Sequence, residues 1–342
     1  MTAELDVARI AIAEASPAYA RRLAAFLERD PDLRVVGRFT DTGQAVELVR
    51  RNGAELLVLD LDAGAEGVAL VERVMAEHPL PVMVLTGTAS LGSPVVVAAL
   101  AAGAIDAHAK ADLLFDEPDG ARAVLFRRRV KRLSRARVTP RRARGPALGV
   151  MPGTHPASAI AIAASTGGPA ALAAIVRALP ADFAVPVFVV QHITQGFMGD
   201  LVRLLDRTAP LPVRIAPDGS RTGPGIWFAP DDAHLVVDGQ LRTHFDREAV
   251  AGHHRPAADV LFSSLAGAVG ERGVTVVLTG MGSDGAEGTA AMRGAGGLTI
   301  AQDEETSAIF GMPRAAAQAG AQVVLPLDRI GPTLAAIRAP AS

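Results

Sequence analysis

The chain has 342 residues, no cysteine and a formal net charge of −2; 49% of its residues are hydrophobic and only 4% aromatic. This rules out disulfides and thiolate chemistry, and leaves no whole-chain charge that would draw in a nucleic acid. The length suits two domains with separate cores, no apolar run approaches a membrane span, and the N-terminus does not read as a signal peptide, so a soluble cytoplasmic protein without membrane insertion is expected.

Residues 1–115 alternate strand and helix patterns. Strands are expected at Ala8–Ala13, Leu33–Phe39, Leu56–Leu59, Val82–Thr86 and Ala104–Ala107, with helical patterns between them, as at Ala18–Glu28 and Gln44–Arg50. Alternation of this kind builds a parallel sheet covered on both faces. The composition then changes. Between Arg127 and Arg144, ten of eighteen residues are Lys or Arg and none is acidic; Pro140, Gly145, Pro146, Pro152, Gly153 and Pro156 interrupt or follow this run. Residues 116–157 therefore read as a last helix over Asp116–Arg132 and a basic, flexible linker ending near Ala157. The plainer role of that linker is a solvated spacer; an electrostatic contact with an acidic partner or nucleic acid is the other.

From 158 to 342 the alternation resumes. Strands are expected at Ala159–Ala164, Pro186–Gln191, Val213–Ala216, Gly225–Ala229, Leu235–Val237, Thr275–Thr279, Gly297–Ala301 and Gln322–Leu325. Helices are expected at Pro169–Leu179, Phe197–Arg207, Ala257–Val269, Gly285–Ala295 and Pro313–Ala319. Gly225–Phe245, with short strands and an Asp238-Gly239 turn, reads as a hairpin insertion.

Three strand ends in this second domain carry polar residues. The run AIAIAA leads into Ser165-Thr166-Gly167-Gly168-Pro169, where two glycines permit a tight turn and the proline suits the first turn of a helix. The run PVFVVQ leads into His192, and VTVVLT leads into the loop carrying Asp284. In an open parallel sheet ligand groups gather at the carboxyl ends of strands, so these three side chains occupy equivalent places. Their types match a nucleophile, a general base and a carboxylate that orients the base. The chain order Ser, His, Asp and the absence of G-x-S-x-G set them apart from α/β-hydrolases. By pattern alone, a glycine turn that packs or that cradles a phosphate remains an alternative for the Ser165 loop. His253 and His254 are adjacent and no clustered ligand spacing accompanies them, so a zinc site is not expected. Gln302-Asp303-Glu304-Glu305 reads as a solvated loop or a helix start rather than a substrate-facing edge.

Together the blocks ASTGGP (164–169), VQHITQGF (190–197), HRPAADVLF (254–262), LTGMGSDGAEG (278–288) and AQDEETSAIFGMPRAA (301–316) resemble the chemotaxis protein-glutamate methylesterase (CheB) family. The resemblance implies an α/β chain: an N-terminal receiver-like, flavodoxin-like doubly wound domain and a C-terminal doubly wound parallel-sheet methylesterase domain. It places the family's nucleophile on Ser165, its base on His192, its acid on Asp284, and its oxyanion region on Thr166 and the Met281 backbone. The implied reaction is hydrolysis of γ-glutamyl methyl esters on chemoreceptor cytoplasmic helices, with deamidation of receptor glutamines as a related acyl transfer, and no cofactor is needed for catalysis.

The first domain resembles a response-regulator receiver. Asp60 falls on the phosphoacceptor position, Thr86 and Lys110 on the supporting hydroxyl and lysine, and Glu14 with Asp60 on the Mg²⁺ site; a histidine kinase is the implied phosphodonor. Three departures accompany this match. The acidic pair reads Glu14-Ala15, Asp60 is followed by Leu-Asp-Ala-Gly, and Lys110 by Ala111. Mg²⁺ is held by few carboxylates, so the loss of one matters. The unphosphorylated receiver is expected to cover the catalytic residues. Two alternatives stay open: a receiver-shaped domain that no longer switches by phosphate, and a signalling adaptor that keeps the fold without catalysis.

Overall fold

A computed structural model describes residues 7–40, 43, 45–62, 64–87, 93–136, 138, 156–248 and 254–340. The chain divides into two compact units, 1–141 and 142–342.

The first unit runs β1 (Ala8–Ala13), α1 (Pro17–Leu27), β2 (Leu33–Phe39), α2 (Ala45–Asn52), β3 (Leu56–Asp60), α3 (Ala65–Glu77), β4 (Val82–Thr86), α4 (Pro94–Ala102), β5 (Asp106–Ala109) and α5 (Ala121–Ser134). Its strands pair in parallel in the order β2-β1-β3-β4-β5. The switch point lies between β1 and β3, so Glu14, the residue after β1, and Asp60, the last of β3, stand at the ends of the two strands that flank the crevice. Every residue of β3 and β4 is buried, as expected of strands covered on both faces. Two helix starts follow the Ser-Pro signal: Ser16 and Ser93 accept the Tyr19 and Val96 amides, with Pro17 and Pro94 next in line.

Two elements start two or more residues later than the sequence suggests. β5 begins at Asp106 rather than Ala104, because the Ala104 amide bonds back to Ala99 O at the end of α4. The last helix begins at Ala121 rather than Asp116, because Glu117 and Gly120 close turns on Leu114 O and Glu117 O around Pro118. Basic residues that fall in the expected last helix pack within this unit. Arg127 is buried and donates to Pro118 O at 2.7 Å, Arg129 pairs with Asp106 at 2.5 Å, and Lys131 pairs with Asp32. The rest of the expected linker, 137 and 139–155, lies outside the described residues.

The second unit runs β6 (Ala159–Ala164), α6 (Gly168–Ala178), β7 (Val187–Gln191), α7 (Met198–Thr208), β8 (Val213–Ile215), β9 (Ser220–Arg221), β10 (Ile226–Phe228), β11 (His234–Val237), β12 (Arg242–Asp246), α8 (Ala258–Val269), β13 (Gly273–Val277), α9 (Ala286–Gly294), β14 (Leu298–Gln302), α10 (Met312–Gln318), β15 (Val323–Leu325) and α11 (Leu327–Ala335). Among the described residues seven strands form one parallel sheet in the order β15-β14-β13-β6-β7-β10-β8. The antiparallel hairpin is β11–β12, with β9 beside it. The insertion thus starts at His234, and Gly225–Phe228 belongs to the parallel sheet instead. β6, β7 and β13 are continuous apolar runs buried throughout. They sit side by side at the centre of the sheet, with Ala164 opposite Gln191 and Ala163 opposite Val277. Their carboxyl ends therefore open at one level.

Candidate active site

Ser165 follows β6 directly. Its amide donates to Thr279 O at 3.0 Å, and its carbonyl accepts from Gly168 N at 2.8 Å, which closes the turn into α6. Gly167 takes a left-handed conformation (φ 78°) that a side chain would resist, and a Cβ there would meet Ala308 Cβ at 2.8 Å. On the neighbouring strand the His192 amide donates to Ala164 O at 2.9 Å, so nucleophile and base candidates leave adjacent strands at successive positions.

His192 is nearly buried, and its Nε2 lies 2.7 Å from Asp284 Oδ2, off the ideal hydrogen-bond line. Its Nδ1 is buried with no hydrogen-bond partner among the described residues. A carboxylate beside Nε2 favours the proton there, which leaves the Nδ1 lone pair available to accept one. His254 stacks on the ring, centroids 4.2 Å apart and planes 12° from parallel, which fixes its plane and covers one face.

Asp284 lies in the loop after β13 and is held by the start of α8. The Ala258 and Asp259 amides donate to Oδ2 and Oδ1 at 2.7 and 2.9 Å, and the helix dipole favours the charge. Burial pushes this carboxyl up, but the His192 contact and the two amides outweigh it and hold it at about 2. The carboxylate therefore stays ionised in the working pH range.

The surrounding loops are tied together by Thr279, which the sequence reading did not single out, and by Gln302, which it placed in a solvated loop or helix start. Thr279 Oγ1 donates to Thr166 O at 2.9 Å and accepts from Ile309 N at 3.0 Å. The Thr279 amide donates to Gln302 Oε1 at 2.8 Å, and Gln302 Nε2 donates to Thr306 O at 2.7 Å. Gln302 is fully buried at the end of β14, so it is a brace for these loops and not part of a solvated segment. Thr166 and Met281 lie in the two loops flanking Ser165, and Gly280 packs so closely that a Cβ would meet Ser165 Cβ at 2.8 Å. A cavity of about 190 Å³ opens beside His192, lined in part by Gln195, Asp231, His254, Arg255 and Pro256. His253 lies outside the described residues, and no metal-binding group of three acidic, His or Cys side chains occurs among the described ones.

Residues 160–334 match the CheB methylesterase family model, and residues 10–112 match the response regulator receiver domain. The chain is 40% identical over 320 residues to protein-glutamate methylesterase/protein-glutamine glutaminase 4 of Myxococcus xanthus, covering 90% of each chain. It is 39% identical to the corresponding protein 3 of Anaeromyxobacter dehalogenans, covering 96% of this chain and 98% of that one. This chain belongs to the CheB methylesterase family. The crystal structure of the Thermotoga maritima CheB methylesterase catalytic domain is also similar, with a TM-score of 0.51 and 37% identity over 52% of this chain and 97% of that one.

In this CheB-family chain the receiver site has its own arrangement. Lys110 Nζ lies 2.7 Å from Asp60 Oδ1, 3.1 Å from Glu14 Oε2 and 2.9 Å from Asp62 Oδ2. Burial alone would lower the Lys110 ammonium, but the three carboxylates outweigh it and hold it above its ordinary value. Burial also pushes the Glu14 carboxyl up. Asp62, which the motif reading treated only as a departure, accepts from Gly87 N at 2.9 Å and from Thr86 Oγ1 at 3.4 Å. It thus engages both side chains, Thr86 and Lys110, that the resemblance reserves for a phosphoryl group. Glu14 Oε2 is buried against Lys110 Nζ at 3.1 Å, and with Asp60 it offers the hard oxygen donors that suit Mg²⁺.

A second carboxyl lies behind Asp284. Asp259 Oδ1 accepts the Gly288 amide at 2.8 Å, joining the first turns of α8 and α9. Burial raises Asp259 to about 6; the Gly288 amide opposes this and the Asp284 charge adds to it. A carboxyl raised on folding is held protonated more tightly by the native state, so its contribution to stability falls as pH rises from about 4 to 6. Asp284, lowered on folding, contributes above its ordinary value and loses that contribution as pH falls toward 2. Asp259→Asn keeps an acceptor for Gly288 and removes the titration. Its melting temperature relative to the unmodified chain is expected to be higher at pH 7.5 than at pH 4.5; thermal melts at both values check this, and an equal offset contradicts it.

Proposed function

We propose that this chain is a serine-type protein-glutamate methylesterase and glutaminase acting on chemoreceptors, with Ser165 as nucleophile, His192 as base and Asp284 as the group that orients it. The observation that carries this reading is the His192 ring, with Nε2 2.7 Å from an ionised carboxylate and Nδ1 without a hydrogen-bond partner among the described residues, one residue beyond the β6–β7 register that delivers Ser165. Ser165 Oγ attacks the ester carbonyl while its proton passes to His192 Nδ1. The tetrahedral intermediate collapses, the proton goes to the departing methoxide, and methanol leaves a γ-glutamyl ester on Ser165. Water, deprotonated by the same nitrogen, then releases the carboxylate. With a glutamine substrate the leaving group is ammonia. Thr166 and Met281 flank Ser165 and are the backbone amides we assign to the oxyanion, a stabilisation worth about 10²–10³ in rate per donor.

In this reading residues 1–115 are a receiver that restrains the enzyme, 116–157 connect, and 158–342 catalyse. Work on the cytoplasmic helices of receptors places the protein in the cytoplasm; no described helix is long and apolar enough to cross a membrane. A Mg²⁺ held by Glu14 and Asp60 would neutralise charge on a phosphoryl group transferred to Asp60 from a histidine kinase. The Asp62 contacts favour a second version, in which the receiver regulates without phosphate.

Methanol release from methylated receptor fragments tests the proposal. Residues 157–342 alone are expected to release methanol at least as fast as the full chain. No release by either form contradicts catalysis and favours the adaptor. An acetyl phosphate and Mg²⁺ arm separates the two versions: acceleration lost in Asp60→Asn supports the phosphate switch, and an unchanged rate supports regulation without it.

A further inference from the structure

We infer that Gln191 is a positioning residue that locks the backbone of the nucleophile to the backbone of the base. The inference rests on the assignment of Ser165 and His192 above. Gln191 is the last residue of β7 and is 1% exposed. The last backbone rung between β6 and β7 is His192 N to Ala164 O. Beyond it the two chains part, one into α6 and the other into the loop after His192. There the Gln191 side chain takes the place of the missing rung, with Nε2 donating to Ser165 O at 2.9 Å and to His192 O at 2.8 Å. Both acceptors are carbonyls, so only the nitrogen end of the amide can face them. One planar group thus spans the two residues whose separation sets the proton transfer.

Packing holds the amide in that pose. Gln191 Oε1 is buried and has no hydrogen-bond partner among the described residues, so the nitrogen end alone makes the directed contacts. Gly168, the first residue of α6, lies against it: a Cβ there would collide with Oε1 and come within 2.9 Å of both Cδ and Ala164 Cβ, so Gly168→Ala strains the end of β6 as well as the amide. Glycine at 168 is therefore what lets the amide reach its two carbonyls. A misplacement of about 1 Å between reacting groups can cost on the order of 10² in rate, so a bridge of this kind acts on kcat.

Two substitutions perturb the bridge by different routes. Gln191→Leu keeps the volume and removes both donors; Gly168→Ala keeps the glutamine and pushes its amide away. In the full-length chain each is expected to lower kcat for methanol release by about 30-fold or more, with KM within about twofold. The rate of Ser165 labelling by diisopropyl fluorophosphate, which needs no receptor, is expected to fall in parallel. The final labelled fraction should stay near one per chain, whereas loss through misfolding would lower that fraction and leave the rate of the remaining sites unchanged. The two effects should be less than additive when Gly168→Ala is placed on Gln191→Ala, where the Oε1 collision is gone. Ser165→Ala run alongside separates two failures. If it is inactive while Gln191→Leu and Gly168→Ala keep kcat and labelling rate within twofold, the bridge is overturned. If Ser165→Ala is itself fully active, the assignment beneath the bridge is wrong.

Discussion

Replacing Ser165 with alanine is expected to lower kcat for methanol release by about 10⁴-fold or more, with the melting temperature unchanged within a degree or two. Removing the nucleophile from a coupled set abolishes the covalent route and leaves only the modest rate that binding and oxyanion donors supply. The fold should tolerate the change, because what holds this turn together is backbone. The Ser165 amide and carbonyl make the structural contacts to Thr279, Gly168 and Gln191, and none of these uses the hydroxyl. Methanol release and a melt on the same preparation check both halves. An active variant would place the chemistry elsewhere.

The second large effect belongs to Asp284. Asp284→Asn is nearly isosteric, yet it is expected to lower kcat by about 10³–10⁴-fold. The carboxylate faces three donors: the His192 ring at Nε2, Ala258 N and Asp259 N. An amide has one acceptor oxygen and one donor nitrogen, so at least one of these faces a donor. If the nitrogen takes the Oδ2 place it faces both the ring and the Ala258 amide, so Nε2 must accept, the ring proton moves to Nδ1, and the base is lost. If it takes the Oδ1 place, the Asp259 amide loses its acceptor and the ring keeps its partner. Either placement costs the start of α8 one acceptor and lowers the melt, so steady-state kinetics distinguishes the routes, since only the first removes the base. A loss in kcat below tenfold would mean that His192 does not depend on this carboxylate.

Much of the candidate site was legible because it lies at the ends of apolar runs. β6, β7 and β13 are buried on both faces, so polar residues after each run mark its carboxyl end, Ser165 after β6 and Gln191 with His192 at the end of β7. β13 ends two residues earlier than its pattern suggests. The pattern runs on through Leu278 and Thr279, which bond across to Ala163 and Ser165 after the regular ladder stops. The parts that were not legible depend on segments far apart in the chain. That the Gln191 amide meets the carbonyls of Ser165 and His192, that Thr279 binds Thr166 and Ile309, and that His254 lies flat on His192 are consequences of loops converging. A residue type alone does not announce which carbonyl it will reach. Asp62 is a similar case: its spacing from Asp60 was visible, but its hold on Thr86, Gly87 and Lys110 follows from β4 lying beside β3 and β5 lying beside β4. α11 was missed because Pro332 lies inside it, where a sequence pattern argues against a helix.

The central claim is that Ser165 carries the acyl group during turnover. The most direct measurement is to mix the chain with methylated receptor fragment, quench in acid within the first turnovers, digest, and weigh the peptide containing Ser165 by mass spectrometry. The account predicts a γ-glutamyl ester adduct on that peptide, appearing with the first methanol released and absent from Ser165→Ala. Methanol release at an undiminished rate in Ser165→Ala, with no adduct on the unmodified chain, would contradict it.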